Sequence, residues 1–403
     1  MVEHVPRKAL VVSLCAAVLT GCASAPDPGV LTVMDYHTDE PMHSAMETQL
    51  ARCGEEIGKR IEHRSVVNDQ LVPKALRMAS SRSLPDVLML DNPDLPQFAA
   101  TQALNPLPEL GITGEGIYPN VLAASTYDGT LYGIPPTVNT LALYYNADLL
   151  EQAGVEPPRT WEELRATAAA LTDEQQYGIA FSALAGLEGA YQFLSFLWPN
   201  GADERRLDSP EAVEALQLWV DLVETGSASR AVVNWGQSEV RDQFTAGRVA
   251  MMVNGSWQAP TLRETPGLRW GVVPIPVPHP GAPPATALGG EVLTIPKTTP
   301  QRQRAAADLV RCLSSPEAQA AVALAADRVP ASPVVAERLR EQVPDLRIFY
   351  DTVPDARSRT AKLGTRWPQT AQAMWTAVQS ALTGTATARQ ALERAQRQLD
   401  ADS

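Results

Sequence analysis

Short continuous apolar runs alternate along this chain with segments whose apolar residues recur at helical spacing. Val30-Leu31-Thr32-Val33-Met34 predicts a strand, and periodicity over 42–61 predicts a helix. A strand near 64–67 and a helix over 71–80 follow. Asp86-Val87-Leu88-Met89-Leu90 reads as a strand buried on both faces. It stops at Asp91-Asn92-Pro93, because proline has no amide to give a ladder; the next helix covers 94–100. The stretch 129–146 gives a turn, a strand, the Pro135-Pro136 break and a second strand over 140–145. In Thr160-Trp161-Glu162-Glu163, Thr160 is placed to accept from the third backbone amide and Glu163 to return the bond, a capping box whose helix runs on to 171. Helices are expected near 190–198 and 210–225. A strand begins at Val249 and turns at Gly255-Ser256-Trp257, Gly289-Gly290 precedes a strand over 292–295, and the tail over 370–399 is mostly helical. This alternation predicts an α/β fold with a mainly parallel sheet.

Length adds a second lobe to that picture: 403 residues exceed one ordinary core. The net charge of −13 comes without any basic block, which excludes a nucleic-acid partner, since phosphate binding needs clustered positive charge. Thirty-three prolines imply many short connections. There are no short-period repeats or low-complexity tracts.

The amino terminus is the most specific signal. Arg7 and Lys8 precede an apolar run over 9–20, too short to span a bilayer. It ends in Leu19-Thr20-Gly21-Cys22, so residues 1–21 read as a signal peptide. The Leu-Thr-Gly-Cys order resembles the lipobox of bacterial lipoproteins. That implies a diacylglyceryl thioether on Cys22, a lipidated linker over 22–29 and tethering to the outer face of the cell membrane. The plainer alternative is secretion with Cys22 incidental. Cys15 leaves with the leader, so Cys53 and Cys312 remain in an oxidising compartment. They form either one disulfide, closing a loop of roughly 260 residues and worth about 3–5 kcal/mol, or two separate buried thiols. No Cys-x-x-Cys or clustered histidine accompanies them, so no metal is expected, and no cofactor.

Several further segments fall in a familiar order: Pro85-Asp86-Val87, Gly133-Ile134-Pro135, Leu143-Tyr144-Tyr145-Asn146, Thr160-Trp161-Glu162-Glu163, Phe244-x-x-Gly247-x-x-Ala250-Met251, Asn254-Gly255-Ser256-Trp257, Gly289-Gly290 and Ile295-Pro296-Lys297. Together they resemble the maltose-binding-type (family 1) extracellular solute-binding proteins over nearly the whole chain after the leader. The resemblance implies a two-lobed periplasmic-binding-protein fold with three hinge crossings, near 138–140, 286–290 and 329–331, and a ligand cleft between the lobes. The lobes would be 30–138 plus 287–330 and 139–286 plus 331–403. Arg52-Cys53, Arg311-Cys312-Leu313 and Asn139-Thr140 further resemble features of actinobacterial trehalose-binding lipoproteins.

A sugar presents hydroxyl edges and an apolar face, and calls for bidentate polar groups beside an aromatic platform. Asp91 with Asn92, at a strand end, suits the hydroxyls; the plainer role is helix capping. Asn139 sits at the first crossing, as ligand contact or hinge turn. Thr38, Asp39 and Glu40 follow the first strand, as contacts or as caps of the next helix. Trp257 is the expected stacking face, against a core role. Gly290 offers a close-approaching amide or simply a tight hinge, and Glu291 a contact or a surface charge. Arg366 and Trp367 are expected to fork to hydroxyls and cover them, against a surface ion pair with a local apolar contact. Glu188, Tyr191, Trp235, Gln237 and Trp375 are further candidates, the last more suited to core.

The resemblance implies a monomeric, non-enzymatic substrate-binding subunit that captures a di- or oligosaccharide, with an α-glucoside such as trehalose in view, and delivers it to ABC permease subunits. Two alternatives stand beside it. One is a binding protein for a glycerophosphodiester or another non-sugar solute such as a polyamine. The other is an exported glycoside hydrolase using a carboxylate pair such as Asp91 and Glu291, although no hydrolase motif is present.

Overall fold

A computed structural model describes residue 1 and residues 27–401. The predicted leader and Cys22 lie outside the described residues. The first lobe is built on a five-stranded sheet ordered Arg60–Ser65, Val30–Asp35, Val87–Asp91, Glu291–Thr294, Gly133–Ile134. The first three strands are parallel; Glu291–Thr294 runs antiparallel to both of its neighbours. Leu88, Met89 and Leu90 are wholly buried, as their unbroken apolar run requires. The second lobe carries a four-stranded sheet ordered Trp270–Val273, Leu141–Asn146, Val249–Gly255, Tyr177–Ala180, antiparallel except for its last pair.

Family-like segments acquire physical roles here. Asp86 accepts from the Thr32 amide at 2.8 Å and from Arg302 Nε at 2.7 Å, tying the helix Pro300–Leu313 to the sheet. Asn146 caps the helix Ala147–Ala153 by accepting from the amides of Asp148 and Leu149 at 3.1 and 3.2 Å. Thr160 caps the helix Trp161–Ala170, accepting from the Glu163 amide at 3.2 Å. The return bond differs from expectation: Glu163 accepts from the Arg159 amide at 2.7 Å. The first helix is also shorter than its periodicity predicts. Met42–Glu56 ends before Gly58, whose φ of 65° breaks the helix, and the next strand starts at Arg60 rather than near 64.

One core packs the first sheet against the helices Met42–Glu56, Pro300–Leu313 and Pro316–Ala326, through Met46, Leu309 and Val322. The other centres on Trp219, with Phe181 stacked at 4.1 Å and Phe193 edge-on at 5.2 Å. Cys53 and Cys312 are bridged, which pins the first helix to Pro300–Leu313. Between the lobes the chain crosses in paired backbone. Val138 pairs with Val329, Asn139 and Gly289 exchange both backbone bonds at 3.2 and 2.9 Å, and Ala287 lies beside Arg357.

Candidate ligand cleft

Two of the three parallel strands of the first sheet, Val30–Asp35 and Val87–Asp91, deliver their carboxyl ends to one cleft, where open α/β sheets bind ligands. Tyr36 to Pro41 follow the first; Asp91 and Asp94 end and follow the second. The second lobe answers with Trp257, on the turn after Val249–Gly255, and with Tyr191 and Glu188 from the helix Leu187–Leu197. The cavity between these walls measures about 530 Å³.

Its centre is a linked polar chain. Asp91 Oδ1 accepts from Arg359 Nη2 at 2.7 Å, and Asn92 Oδ1 accepts from the same nitrogen at 3.3 Å. The guanidinium lies 4.8 Å from the Tyr191 ring, and the Tyr191 hydroxyl donates to Asn139 Oδ1 at 3.3 Å. Tyr36 donates to Glu291 Oε1 at 2.8 Å, and the ring of His37 stands 3.9 Å from that same oxygen. Glu188 accepts from the Gln237 amide.

Burial sets the ionisation of these groups. It raises Asp91, against the pull of Arg359, and lowers His37, against the pull of Glu291. Asp94, 8% exposed, is pushed up to about 7 by burial and by the charge of Asp91, with Arg359 opposing. Burial also raises Glu188, against the hydrogen bond it accepts from the Gln237 amide.

Thr38, Asp39, Glu40, Asp91, Asn139, Glu188, Tyr191, Gln237, Trp257, Gly290 and Glu291 therefore share one cleft, as the sequence grouped them. Glu40 also performs the plainer task, accepting from the Ser44 hydroxyl at 2.7 Å at the start of the first helix. Asn92 is buried behind Asp91 and does not line the cavity. Gly290 has φ 112°, and a Cβ there would lie 2.9 Å from Val138 Cα, so this tight turn requires a residue without a side chain. Arg366 and Trp367 are corrections. Arg366 is exposed on a turn away from the cleft, and Trp367, wholly buried, packs in the second core because it opens the amphipathic helix Trp367–Leu382. Trp235 and Trp375 pack against core rather than line the cleft. Besides Arg241, two arginines reach the cleft that escaped sequence reading, Arg359 and Arg328. Each follows a loop or helix end without a local pattern. Tyr36 and His37 were more accessible, since the strand-end rule points to them as directly as to Asp39.

The family model described as bacterial extracellular solute-binding protein matches residues 49–346. A Brucella abortus protein named as a binding protein is 30% identical over 171 residues, covering 40% of this chain and 41% of its own. Escherichia coli YcjN, named as an ABC transporter periplasmic-binding protein, is 26% identical over 265 residues, 61% of this chain and 60% of its own. The chain thus spans less than two thirds of the length of these curated relatives. Among solved structures, maltose-bound MalE3 of T. maritima superposes with a TM-score of 0.83 at 25% identity, over 92% of this chain and 99% of that one. With two sheets, a crossed hinge, an interlobe cleft and a family match across most of its length, the chain belongs to the bacterial extracellular solute-binding proteins.

Proposed function

We propose that this protein is the substrate-binding subunit of an ABC importer and captures a neutral di- or oligosaccharide, with α-glucosides such as trehalose the first choice. The observation that carries the reading is that the Asp91–Arg359–Tyr191–Asn139 chain and Trp257 line one cleft. It sets hydrogen-bonding groups for hydroxyls in the same cavity as an aromatic face for a ring. The maltose bound by MalE3 and the transporter role in YcjN's name support it. The lobes 30–138 plus 287–330 and 139–286 plus 331–403 close as rigid bodies about the three crossings, a hinge motion biased by the ligand's contacts to both. A lipid on Cys22 holds the monomer at the outer face of the membrane beside its permease.

The two alternatives fit less well. Seven carboxylates against three guanidinium groups line the cleft, and Arg359 is committed to Asp91, so a phosphodiester meets an unfavourable field. Asp91 and Glu291 are cross-strand neighbours in one sheet, engaged with Arg359 and Tyr36. The family is one of binding proteins rather than enzymes.

Thermal unfolding against mono-, di- and oligosaccharides and glycerophosphocholine tests the reading. A ligand at about 100 times its Kd adds roughly 2.7 kcal/mol of stability. A rise with a glucoside that disappears in Trp257→Ala is expected; a rise with glycerophosphocholine alone would contradict it.

A further inference from the structure

Arg328 is the one cleft guanidinium, among the described residues, that no carboxylate pairs with. It is 9% exposed, and its Nε and Nη1 are enclosed without a hydrogen-bond partner. Other enclosed arginines have counter-ions: Arg359 has Asp91 and Arg302 has Asp86. An ionised group in such a setting is costly unless something completes its hydrogen bonds.

The backbone is bent to bring it there. Asp327 ends the helix Pro316–Ala326 with φ 51°, a left-handed conformation unusual for a residue with a side chain. That turn is held from the other lobe. Arg263 Nη1 donates to Asp327 Oδ2 at 2.6 Å, and the Ser256 hydroxyl donates to the Asp327 carbonyl. The next residue is Arg328, whose guanidinium lies 5.5 Å over the Trp257 ring and whose charge acts on Tyr36, His37 and Tyr191 around the cavity.

We propose that Arg328 is a ligand-binding and specificity-determining residue: seated on Trp257, its planar fork donates to neighbouring acceptor oxygens of the ligand. This rests on the reading of the cleft as a sugar site. The vicinal oxygens of a pyranose ring match a fork of parallel N–H groups, and a lysine in its place offers only a point charge. Arg328 therefore selects for the position of two adjacent oxygens on the ring that meets Trp257.

The test is calorimetric titration of the wild-type protein, Arg328→Lys and Arg328→Met with trehalose, maltose and glycerophosphocholine, together with melting of each protein without ligand. For whichever probe the wild type binds, both variants should lose about tenfold or more in affinity. Ligand-free Arg328→Met should melt no lower than wild type, because removing an unpaired buried charge relieves a cost. A merely structural arginine would do the reverse. Affinity within twofold of wild type in both variants overturns the proposal. Wild-type binding of the phosphodiester alone overturns the sugar reading, and the variants then decide Arg328 separately. Wild-type binding of none of the three overturns both.

Discussion

Asp91 and Arg359 are each other's main partner; Arg359 is 3% exposed, while the Asp91 side chain opens to the cleft. Replacing one member strands the other. Asp91→Asn is expected to cost about 3 kcal/mol by denaturant unfolding and to abolish sugar binding. An unchanged midpoint would show that Asn92 alone satisfies the guanidinium. Asp94 gives the opposite kind of prediction. Its folded-state carboxyl titrates at about 7, against an ordinary value of 3.8, so the folded protein holds a proton that the unfolded chain has released. Its contribution is complete below about pH 4 and is lost as pH rises through about 7. Asp94→Asn should therefore be more stable than wild type near pH 8, with the difference fading toward pH 4. Stability curves for the two proteins that run parallel across that range would refute this. Residues at strand ends were legible in the sequence because a buried run must stop somewhere: Asp91 stops one, and Trp257 follows another. Arg359 was not, because its partner is 268 positions away and no periodicity marks it.

At the scale of elements, continuous runs and caps carried the reading. The strand Val87–Asp91 and the Thr160 cap came from local chemistry that tertiary packing did not overrule. The first helix failed at its carboxyl end because Gly58 breaks the chain inside a periodicity that continues past it. Trp367 failed for a related reason. A tryptophan before a proline suits a cleft rim or the first turn of a helix equally well, and only the buried face of Trp367–Leu382 decides. The disulfide joins two helices of the first lobe, and neither cysteine lines the cleft. Replacing both cysteines with serine should lower stability by about 2–5 kcal/mol and leave sugar affinity within twofold. A large loss of affinity would mean that the bridge shapes the cleft.

The whole molecule is two lobes with a polar cleft beside the paired backbone that joins them. Asn139 and Gly289 pair there, and a Cβ on Gly289 would come within 2.0 Å of Asn139 Oδ1 and 2.7 Å of the Tyr191 hydroxyl, so site and crossing share the same atoms. On the proposed hinged closure, movement between the lobes is coupled to the groups that meet the ligand. The bilobed plan was legible from the order of the family segments. The orientation of the walls was not, since it depends on crossings joined by single ladders. Small-angle X-ray scattering of the protein with and without saturating trehalose or maltose tests the central claim most directly. The account predicts that the radius of gyration falls with one of these sugars and that Asp91→Ala abolishes the fall. A radius unchanged by every sugar, with contraction on glycerophosphocholine instead, would contradict it.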